Sequence, residues 1–400
     1  MSKLTQRTLG EISNNFDNVR VPLSVMEREK LKKKYRYYGA QGVIDYVDAY
    51  LFDGEYILVA EDGENLKSQK NNICNFVTGK FWVNNHAHII NASNGHDTKY
   101  LYYKLSLVNF KNYVTGSAQP KLTKDNLNSI VLHIHKDGEQ QKVAAVLSAL
   151  DAKIDCNNRI NAELEAMAKA LYDYWFVQFD FPDAHGKPYQ SSGGKMVYNA
   201  TLNREIPEGG SASSVLAVAD LLGGGTPTKR KPGYWSGEIP FFTPTDADGT
   251  IFKFSTADYI TEEGLKGSST KRFGKHTVFI TARGSVGRLV LTGVDMAMNQ
   301  SCYALRAKPG VSHVFLFFLA KELIHHLQVK SSGSVFDSIV SNDIELTNLA
   351  IPNDDLIEKF AAVVEPAFEK IANNTKENQQ LAQLRDWLLP LLMNGQVTVA

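Results

Sequence analysis

The sequence predicts an α+β protein: two mixed, β-rich domains separated by two long antiparallel helices that form a coiled-coil spacer, with a pseudo-two-fold internal repeat. Three observations support this fold class. The 400 residues can form two or three domains, each with its own core. Residues 116–176 align without gaps to residues 333–393, at a constant offset of 217 positions. Within both copies, apolar residues recur at the spacing of an α-helix.

The repeat divides the chain into alternating heads and helices. Its helical parts align closely, whereas only weak matches remain upstream, residues 56–63 with 277–284 and residues 79–86 with 293–301. This pattern is typical of a protein with a symmetric scaffold and two heads that recognise different things. We predict six segments, namely head one (1–136), helix one (137–178), a linker (179–210), head two (211–353), helix two (354–394) and a C-terminal tail (395–400).

Both heads are predicted to be rich in short β-strands. Runs such as residues 56–60 and 278–281 combine β-branched and aromatic residues and are bounded by Gly, Asn or Asp. Residues 223–228 read Gly-Gly-Gly-Thr-Pro-Thr, a composition typical of a loop. The stretch 180–210 is rich in Pro, Gly, Ser and Asn, so we expect it to be an exposed connection into head two.

The two long helices are predicted to pair through apolar seams. Residues 139–176 contain no Pro or Gly, and their apolar residues recur at steps of four and three, as in a coiled coil. The first seam contains Val143, Leu147, Leu150, Ile154, Leu164 and Leu171, and the second contains Phe360, Val364, Ala367, Ile371, Leu381 and Leu388.

Two asparagines interrupt each seam at equivalent positions of the repeat, Asn157 and Asn161 in the first helix and Asn374 and Asn378 in the second. A polar residue on an apolar seam lowers stability but can fix register and orientation. The alternative is that these are unrelated surface residues, which their recurrence disfavours. We therefore expect antiparallel helices that cross near Asn157 and Asn374.

The C-terminal ends of both helices carry more large apolar residues than one seam needs. Surplus apolar surface on a helix often marks an interface, so we predict docking of partner subunits there. Packing against the protein's own heads would explain the same residues equally well. The predicted docking residues are Tyr174, Trp175, Phe176, Trp387, Leu391 and Leu392.

The composition excludes several classes of protein. Lys plus Arg and Asp plus Glu both number 43, which argues against uniform electrostatic binding of nucleic acid but leaves room for local basic faces. Three widely spaced cysteines suit neither a disulfide framework nor a zinc site, so we expect a reducing cytoplasm. Neither a signal peptide nor a membrane span is predicted, since no apolar run is long enough.

Motifs for catalysis and metal binding are missing from the sequence. Gly274-Lys275 lacks the remaining residues of a phosphate-binding loop, and Ser285 lacks the Gly-x-Ser-x-Gly context of a hydrolase nucleophile. The pairs His86/His88 and His133/His135 could each share one strand face, but neither has nearby carboxylate or thiolate support. We therefore expect neither a catalytic nor a metal site in this chain.

Three parts of the chain, by their composition, order and spacing, resemble the specificity subunits of Type I restriction–modification systems. Residues 224–228 with 234–240 look like the opening of a target-recognition domain, and residues 284–287 with Asn299-Gln300 look like its middle. Residues 147–154 look like the start of the family's conserved helix. The resemblance extends over essentially the whole chain, but head one departs from it with Val21-Pro22-Leu23-Ser24 in place of a Gly-Thr-Pro opening.

The resemblance implies a DNA-reading subunit without its own cofactor. It would bind an asymmetric, bipartite site on double-stranded DNA, one half per head. Two modification subunits would dock on the helices and methylate adenine N6 with S-adenosylmethionine, and restriction subunits would cut DNA with ATP and Mg. A rod of about 38 residues spans roughly 57 Å, against a B-DNA repeat of ~34–36 Å, so it would act as a ruler. The alternatives are a non-DNA coiled-coil adaptor that presents two β-rich protein-binding heads, and a hydrolase.

Within the heads, we select residue types suited to DNA: Arg and Lys for guanine edges and phosphates, Asn and Gln for adenine. Gly284 and Gly287 would permit close approach of the backbone. Asn84-Asn85 matches Asn299-Gln300 in the repeat, which also fits a structural role. The predicted DNA-binding residues are Lys33, Lys34, Arg36, Tyr38 and Gln41 in head one, and Thr226, Lys229, Arg230, Lys231, Arg283, Gly284 and Arg288 in head two.

Overall fold

The computed structural model describes residues 4–116, 119–330 and 337–399. Its internal contacts divide the chain into two units, one with residues up to Ile154 and from Gln380 onward, the other with Asp155–Gln379. Head one belongs to the first unit and head two to the second, each with part of both long helices. The repeat positions Ser117, Gly333 and Ser334 lie outside the described residues.

The predicted α+β class is confirmed. Within the described residues the α-helices are α1 (Leu9–Ile12), α2 (Val25–Glu29), α3 (Asn65–Ser68), α4 (Thr98–Leu105), α5 (Lys124–Asn128), α6 (Asp137–Tyr172), α7 (Glu262–Lys266), α8 (His313–Lys330), α9 (Ser341–Leu346) and α10 (Asp354–Met393). None of these helices is both long enough and apolar enough to cross a membrane.

The strands of head one are β1 (Thr5–Thr8), β2 (Ser13–Asn15), β3 (Tyr35–Gly39), β4 (Gly42–Val47), β5 (Phe52–Ala60), β6 (Cys74–Val83), β7 (Ala87–Ala92) and β8 (Val131–Ile134). Six of them form one sheet in the order β2-β7-β5-β6-β3-β4. Its neighbours are antiparallel except β3 and β6, which are parallel. Strands β1 and β8 form a separate antiparallel pair.

The sheet of head one curls strongly at its β5–β6 hairpin. The end of β6 lies beside the start of β5, yet β7 begins opposite the end of β5. Val83 ends β6 and Ala87 begins β7, and the four residue steps of chain between these positions can span at most ~15 Å. If the nine residues of β5 formed a straight strand, the two positions would be ~27 Å apart. Gly54 and Gly79 face each other across the hairpin, both at positive φ, and mark the bend. The curl brings the ends of β5 and β6 to the start of β7.

The strands of the second unit are β9 (Met196–Asn199), β10 (Arg204–Pro207), β11 (Ser211–Ser214), β12 (Ala219–Gly223), β13 (Trp235–Phe242), β14 (Phe252–Lys253), β15 (Asp258–Ile260), β16 (Val278–Thr281), β17 (Leu289–Thr292), β18 (Ala297–Met298), β19 (Cys302–Ala307) and β20 (Asn348–Ile351). They form sheets in the orders β12-β19-β16-β17-β14 and β15-β13-β18, besides the pairs β9–β10 and β11–β20.

The two heads share one topology. Strand β13 runs parallel to β18, as β3 runs parallel to β6. If β17 and β18 together stand for β6, the order β12-β19-β16-β17/β18-β13-β15 matches the sheet of head one, and β14, which pairs parallel with β17, is an addition in head two. The short break at residues 293–296 therefore splits in head two what is one sheet in head one.

The predicted repeat also governs the entry into the long helices. Strands β8 and β20 begin at Val131 and Asn348, and helices α6 and α10 begin at Asp137 and Asp354, each pair 217 positions apart. In both heads this last strand pairs antiparallel with the first strand of the head, β1 or β11. The two ends of each head are thus joined directly beside the start of its helix.

The two long helices are antiparallel, as predicted. In the second unit Asn157 contacts Asn378 and Asn161 contacts Asn374, so partner numbers fall along α10 as they rise along α6. Helix α6 ends at Tyr172 and a π-helical turn follows over Asp173–Val177. The predicted linker 179–210 contains the β9–β10 hairpin.

The core of the second unit explains why its helices are more apolar than a seam requires. Helix α8 is buried along most of its length. Phe317 and Phe318 of α8 lie 5.9 and 5.6 Å from the ring of Phe368 on α10, a residue outside the predicted seam. Seam residues Phe360, Val364 and Ile371 are buried in the same cluster. Helix α10 therefore packs on its head as well as on α6.

Candidate nucleic-acid interface

Two loops of head two meet where β16 ends and β19 begins. The amides of Ala282 and Arg283 donate to the carbonyl oxygen of Ser301, at 2.8 and 3.2 Å. The side chain of Asn299 accepts from the amide of Ser301 at 3.0 Å, and Gly284 turns the chain at a φ of 71°. We call residues 282–284 and 299–301 the β16–β19 edge. It holds the predicted residues Arg283 and Gly284.

The predicted residue Thr226 lies on the same edge. Its hydroxyl donates to the side-chain oxygen of Gln300, and both residues are exposed. A Cβ on Gly224 would lie 2.1 Å from the carbonyl oxygen of Asn299, and one on Gly225 would lie 2.1 Å from the hydroxyl of Ser269. These glycines are therefore required for packing, and they place Thr226 against the turn.

The basic run Lys229–Lys231 is exposed next to this loop and is held by aromatic rings. The ammonium of Lys229 lies 5.7 Å from the Trp235 ring centroid, and that of Lys231 lies 5.0 Å from the centroid of Tyr234. The Trp235 indole donates to the carbonyl of Thr228 at 3.2 Å, which fixes the ring beneath the loop. Such cation–π contacts hold each ammonium group in place but leave its positive charge available to a ligand.

Arg288 and Arg283 differ in their freedom to reach a ligand. The guanidinium of Arg288 donates to the backbone carbonyl of Ala247, and its amide donates to the hydroxyl of Thr281 at 2.9 Å. The side chain of Arg283 is exposed on the edge itself. Of these two guanidinium groups, that of Arg283 is therefore the better placed to contact a bound molecule.

The predicted residues of head one lie on the β3–β4 hairpin and just before it. Lys33 forms an ion pair with Asp45 at 2.9 Å and lowers the pKa of that carboxyl below its ordinary value. Lys34 lies 5.0 Å above the ring of Tyr35. Arg36 and Gln41 are exposed, Gln41 in the turn between the strands. These four residues offer cations and an amide on one hairpin.

Tyr38 does not belong to that surface. It is only 7% exposed, and its ring packs at 5.7 Å against Phe81 in the core of the sheet. Alternation along the strand does not account for this, because the exposed Arg36 is two positions away on the same strand; the register with β4 shifts between Tyr37 and Tyr38, and both tyrosines are buried. The structure therefore removes Tyr38 from the candidate DNA-binding residues.

Head one contains its own copy of the edge described above. The amide of Glu61 donates to the carbonyl of His86 at 2.9 Å, and the amide of His86 donates to the side chain of Asn84 at 2.9 Å. The imidazole Nδ1 of His86 lies 2.7 Å from a carboxylate oxygen of Asp62. We call residues 61–63 and 84–86 the β5–β7 edge.

A third contact establishes that the two edges are equivalent. The amide of Leu122 donates to the carbonyl of Glu61 at 2.8 Å, and the amide of Ile339 donates to that of Ala282 at 2.9 Å. Positions 122 and 339 differ by the 217 residues of the repeat. Asp62 therefore takes the place of Arg283, and residues 84–86 take the place of residues 299–301. The weak sequence match of residues 56–63 with 277–284 contained this register, but it did not identify Asp62.

A buried ionic network supports the β5–β7 edge. The ring of His88 is 2.6 Å from Asp17 through Nδ1 and 2.8 Å from the carbonyl of Leu122 through Nε2. Arg20 pairs with Glu61 at 2.6 Å. Burial raises the pKa of Asp17, but the hydrogen bond and charge of His88 outweigh it and leave that pKa below its ordinary value. The carboxylates are thus charged and held in place.

Three of the four histidines considered as metal ligands have other partners. His86 and His88 bind two different carboxylates, and His135 lies 2.8 Å from the hydroxyl of Tyr100. Burial lowers the pKa of His135. Among the described residues no group of three or more His, Cys, Asp or Glu side chains is arranged to hold a metal ion.

The four seam asparagines lie together in the second unit. Asn157 and Asn374 are fully buried. Asn157 donates to Asn378 at 2.9 Å, and Asn374 donates to Asn161 at 2.9 Å. Glu377 also accepts from Asn157, at 2.8 Å, a contact that the seam pattern did not predict. The amides therefore satisfy each other between the helices.

The six predicted docking residues divide into two groups. Trp175 and Phe176 are buried, with their rings 5.9 and 5.1 Å from that of Phe360 in the second unit, and Leu392 is buried in the core of the first unit. These three cannot offer surface to a partner in this fold, because each is buried in the core of its own unit. Tyr174 and Trp387 remain exposed, Trp387 by 64%, and Leu391 is partly exposed.

Comparison with known proteins places the chain in a family. The profile described as Type I restriction modification DNA specificity domain matches residues 1–166 and 214–383. The MjaIX specificity subunit of Methanocaldococcus jannaschii, a type I restriction enzyme subunit, is 26% identical over 76% of this chain and 69% of its own length. A putative type I restriction enzyme specificity subunit of Haemophilus influenzae is 25% identical over 95% of this chain and 91% of its own.

A solved structure shares the fold. The S subunit of a Type I restriction–modification system from M. genitalium superposes with a TM-score of 0.62 at 14% identity, over 98% of this chain and 96% of that chain. The two profile matches each span one head and most of the helix that follows it. Because they cover well over half of the chain, the protein belongs to the Type I restriction modification DNA specificity family.

Proposed function

We propose that this chain reads an asymmetric, bipartite site on double-stranded DNA, one half with each head, and directs adenine-N6 methylation or restriction by partner subunits. One observation carries the proposal: the same hydrogen-bonded edge recurs in both heads but presents different side chains. A repeated backbone gives both heads the same way of approaching a duplex. Different side chains on it give the two half-sites different sequences.

In head two, the proposed contacts divide by chemistry. Arg283, together with Thr226 and the backbone at Gly284, is placed to meet base edges, since a guanidinium suits the O6 and N7 atoms of guanine. The exposed run Lys229–Lys231 is suited to phosphates, and Arg288 supports the edge from its anchored position. In head one, the β3–β4 hairpin supplies Lys33, Lys34, Arg36 and Gln41.

We infer that this chain carries no catalytic site. The relatives in the comparison are named specificity subunits of restriction enzymes, which supports a division of labour with partner proteins. Two modification subunits would supply S-adenosylmethionine and methyl transfer, and restriction subunits would supply ATP- and Mg-dependent cleavage. Tyr174, Trp387 and Leu391 are the remaining candidates for contacts with these subunits.

Methylome sequencing of cells that carry the chain with its modification partner tests the proposal. The expected result is N6-methyladenine within one bipartite motif whose two halves differ, and none when the chain is deleted. A motif that persists without this chain would overturn the proposal. Saturable binding to a protein, without salt-dependent binding to random duplex DNA, would instead favour the adaptor.

A further inference from the structure

We infer that Asp62, Asn85 and His86 form the base-reading site of head one, and that this site takes an amino-bearing base edge, adenine N6 or cytosine N4, where head two takes guanine. The inference rests on the proposed function. It deepens that function by naming the reading residues of one head and the hydrogen-bonding class of the base they select.

The first step is positional. The β5–β7 and β16–β19 edges are built by the same backbone hydrogen bonds, including isolated strand bridges at Asp62 to Lys121 and Arg283 to Ser338. Gly63 and Gly284 follow at positive φ in the two loops. A duplex held against both edges in the same way would meet Asp62 in head one where it meets Arg283 in head two.

The second step is chemical. Arg283 can only donate hydrogen bonds, whereas the carboxylate of Asp62 can only accept them. A carboxylate accepts from cytosine N4 and is repelled by the O6 and N7 acceptors of guanine, and an asparagine amide matches the adenine edge. Asn85 is exposed and takes the place of Gln300 in head two. Exchanging donor for acceptor at one position therefore reverses the preferred base edge.

The third step concerns how a carboxylate can approach DNA. Asp62 is bonded to the ring of His86, and the two side chains are 32% and 52% exposed. The imidazole thus covers part of the negative charge while its outer edge faces solvent. Lys121, exposed by 56%, lies 3.3 Å from Glu61 beside the same loop and can take a phosphate. Lys121 therefore offers a cation to the DNA backbone beside the carboxylate of Asp62.

The fourth step is rigidity. Arg20 donates to Glu61 at 2.6 Å and to the carbonyl of Asn85 at 3.4 Å. One guanidinium therefore joins the two loops of the β5–β7 edge. In head two the hydroxyl of Thr226 donates to the side chain of Gln300, which takes the place of Asn85. Side chains that are held before binding discriminate better than mobile ones, because less conformational freedom is lost on binding.

The test uses the full chain assembled with its modification partner. The variants Asp62→Asn, His86→Ala and Asp62→Arg are compared with Arg283→Asp in head two. Readouts are the methylated motif and competition by duplexes with single-base changes, with thermal unfolding as the check on folding. Asp62→Arg should move one position of one half-site toward guanine. Asp62→Asn and His86→Ala should each reduce discrimination there by roughly ten-fold to a hundred-fold.

Arg283→Asp should alter the other half-site alone, which makes it the matched control. The inference is overturned if folded Asp62→Asn and His86→Ala proteins keep the wild-type preference in both half-sites while Arg283→Asp changes one. Should Asp62→Arg not fold, the two milder variants decide. Absence of any bipartite motif with the wild-type chain would contradict the proposed function itself, so the two failures are distinguishable.

Discussion

At the scale of single residues, the asparagines between the long helices show how buried polar groups can be tolerated. An unpaired buried amide costs about 1–3 kcal/mol, so amides on an apolar seam must find partners. Asn374 does so by donating to Asn161 at 2.9 Å. Because the contact forms only when both helices are in one register, it selects that alignment over shifted ones.

The pair of neighbouring residues Asn373 and Asn374 allows a controlled test. Asn374 is buried, whereas Asn373 is exposed on the same helix. We expect Asn374→Ala to lower the free energy of unfolding by about 1–2 kcal/mol, since it leaves Asn161 without its donor and opens a small cavity. Asn373→Ala should change it by less than about 0.5 kcal/mol.

Denaturant unfolding of both variants measures this difference. Equal stabilities would show that the amide contact between the helices contributes nothing measurable to the fold.

At the scale of elements, the edge of head two depends on close approach between loops that are far apart in sequence. Strand β12 ends at Gly223, and the next two glycines pass against Asn299 and Ser269 without room for a side chain. This contact positions Thr226 beside Gln300. The Gly-Gly-Thr-Pro segment is therefore a packing motif whose consequence is the placement of one exposed hydroxyl.

Gly224→Ala tests that dependence. Its Cβ would lie 2.1 Å from the backbone oxygen of Asn299, so one loop must move, and we expect a loss of about 1–3 kcal/mol in stability. Affinity for DNA should fall through head two in particular. Gly233→Ala is the control, because its Cβ would meet nothing within 4 Å.

Thermal unfolding and competition binding with duplexes altered in either half-site distinguish the two variants. If Gly224→Ala retains wild-type stability and binding, the close approach is not what holds the edge.

At the scale of the whole molecule, charge must act locally, because the chain carries no net charge. Attraction to DNA then depends on patches such as Lys229–Lys231 and not on the overall field. Each phosphate contact contributes about one unit to the slope of log K against log salt. A neutral protein that reads DNA should therefore still show a steep negative slope.

The triple variant Lys229→Ala/Arg230→Ala/Lys231→Ala should reduce this slope by about 3 and weaken all duplex sequences alike. Lys195→Ala is the control, since Lys195 is an exposed cation of the same unit that already pairs with Glu208 at 2.6 Å. Binding titrations between low and high salt measure both slopes. A triple variant with the wild-type slope would exclude phosphate contacts by this loop.

Much of the architecture was predictable because the repeat and the helices are encoded by local patterns. The 217-residue offset, the absence of Pro and Gly from residues 139–176 and the paired asparagines identify antiparallel helices from sequence alone. The edge of head two was predictable in part, since Thr226 and Arg283 belong to loop segments with recognisable composition. Its counterpart in head one was not, because Asp62 and His86 carry no motif.

The sequence by itself determined the order of heads and helices, the repeat and the face on which each helix is apolar. Periodicity suffices for these features because it depends on neighbours along the chain. Only the tertiary structure decided which side chains reach the surface. Tyr38 is covered by the sheet, and Trp175 and Phe176 pack against Phe360 of the second unit. Burial depends on segments distant in sequence. The weak match of residues 56–63 with 277–284 pairs Asp62 with Arg283, but only the shared hydrogen bonds showed that the two edges are equivalent.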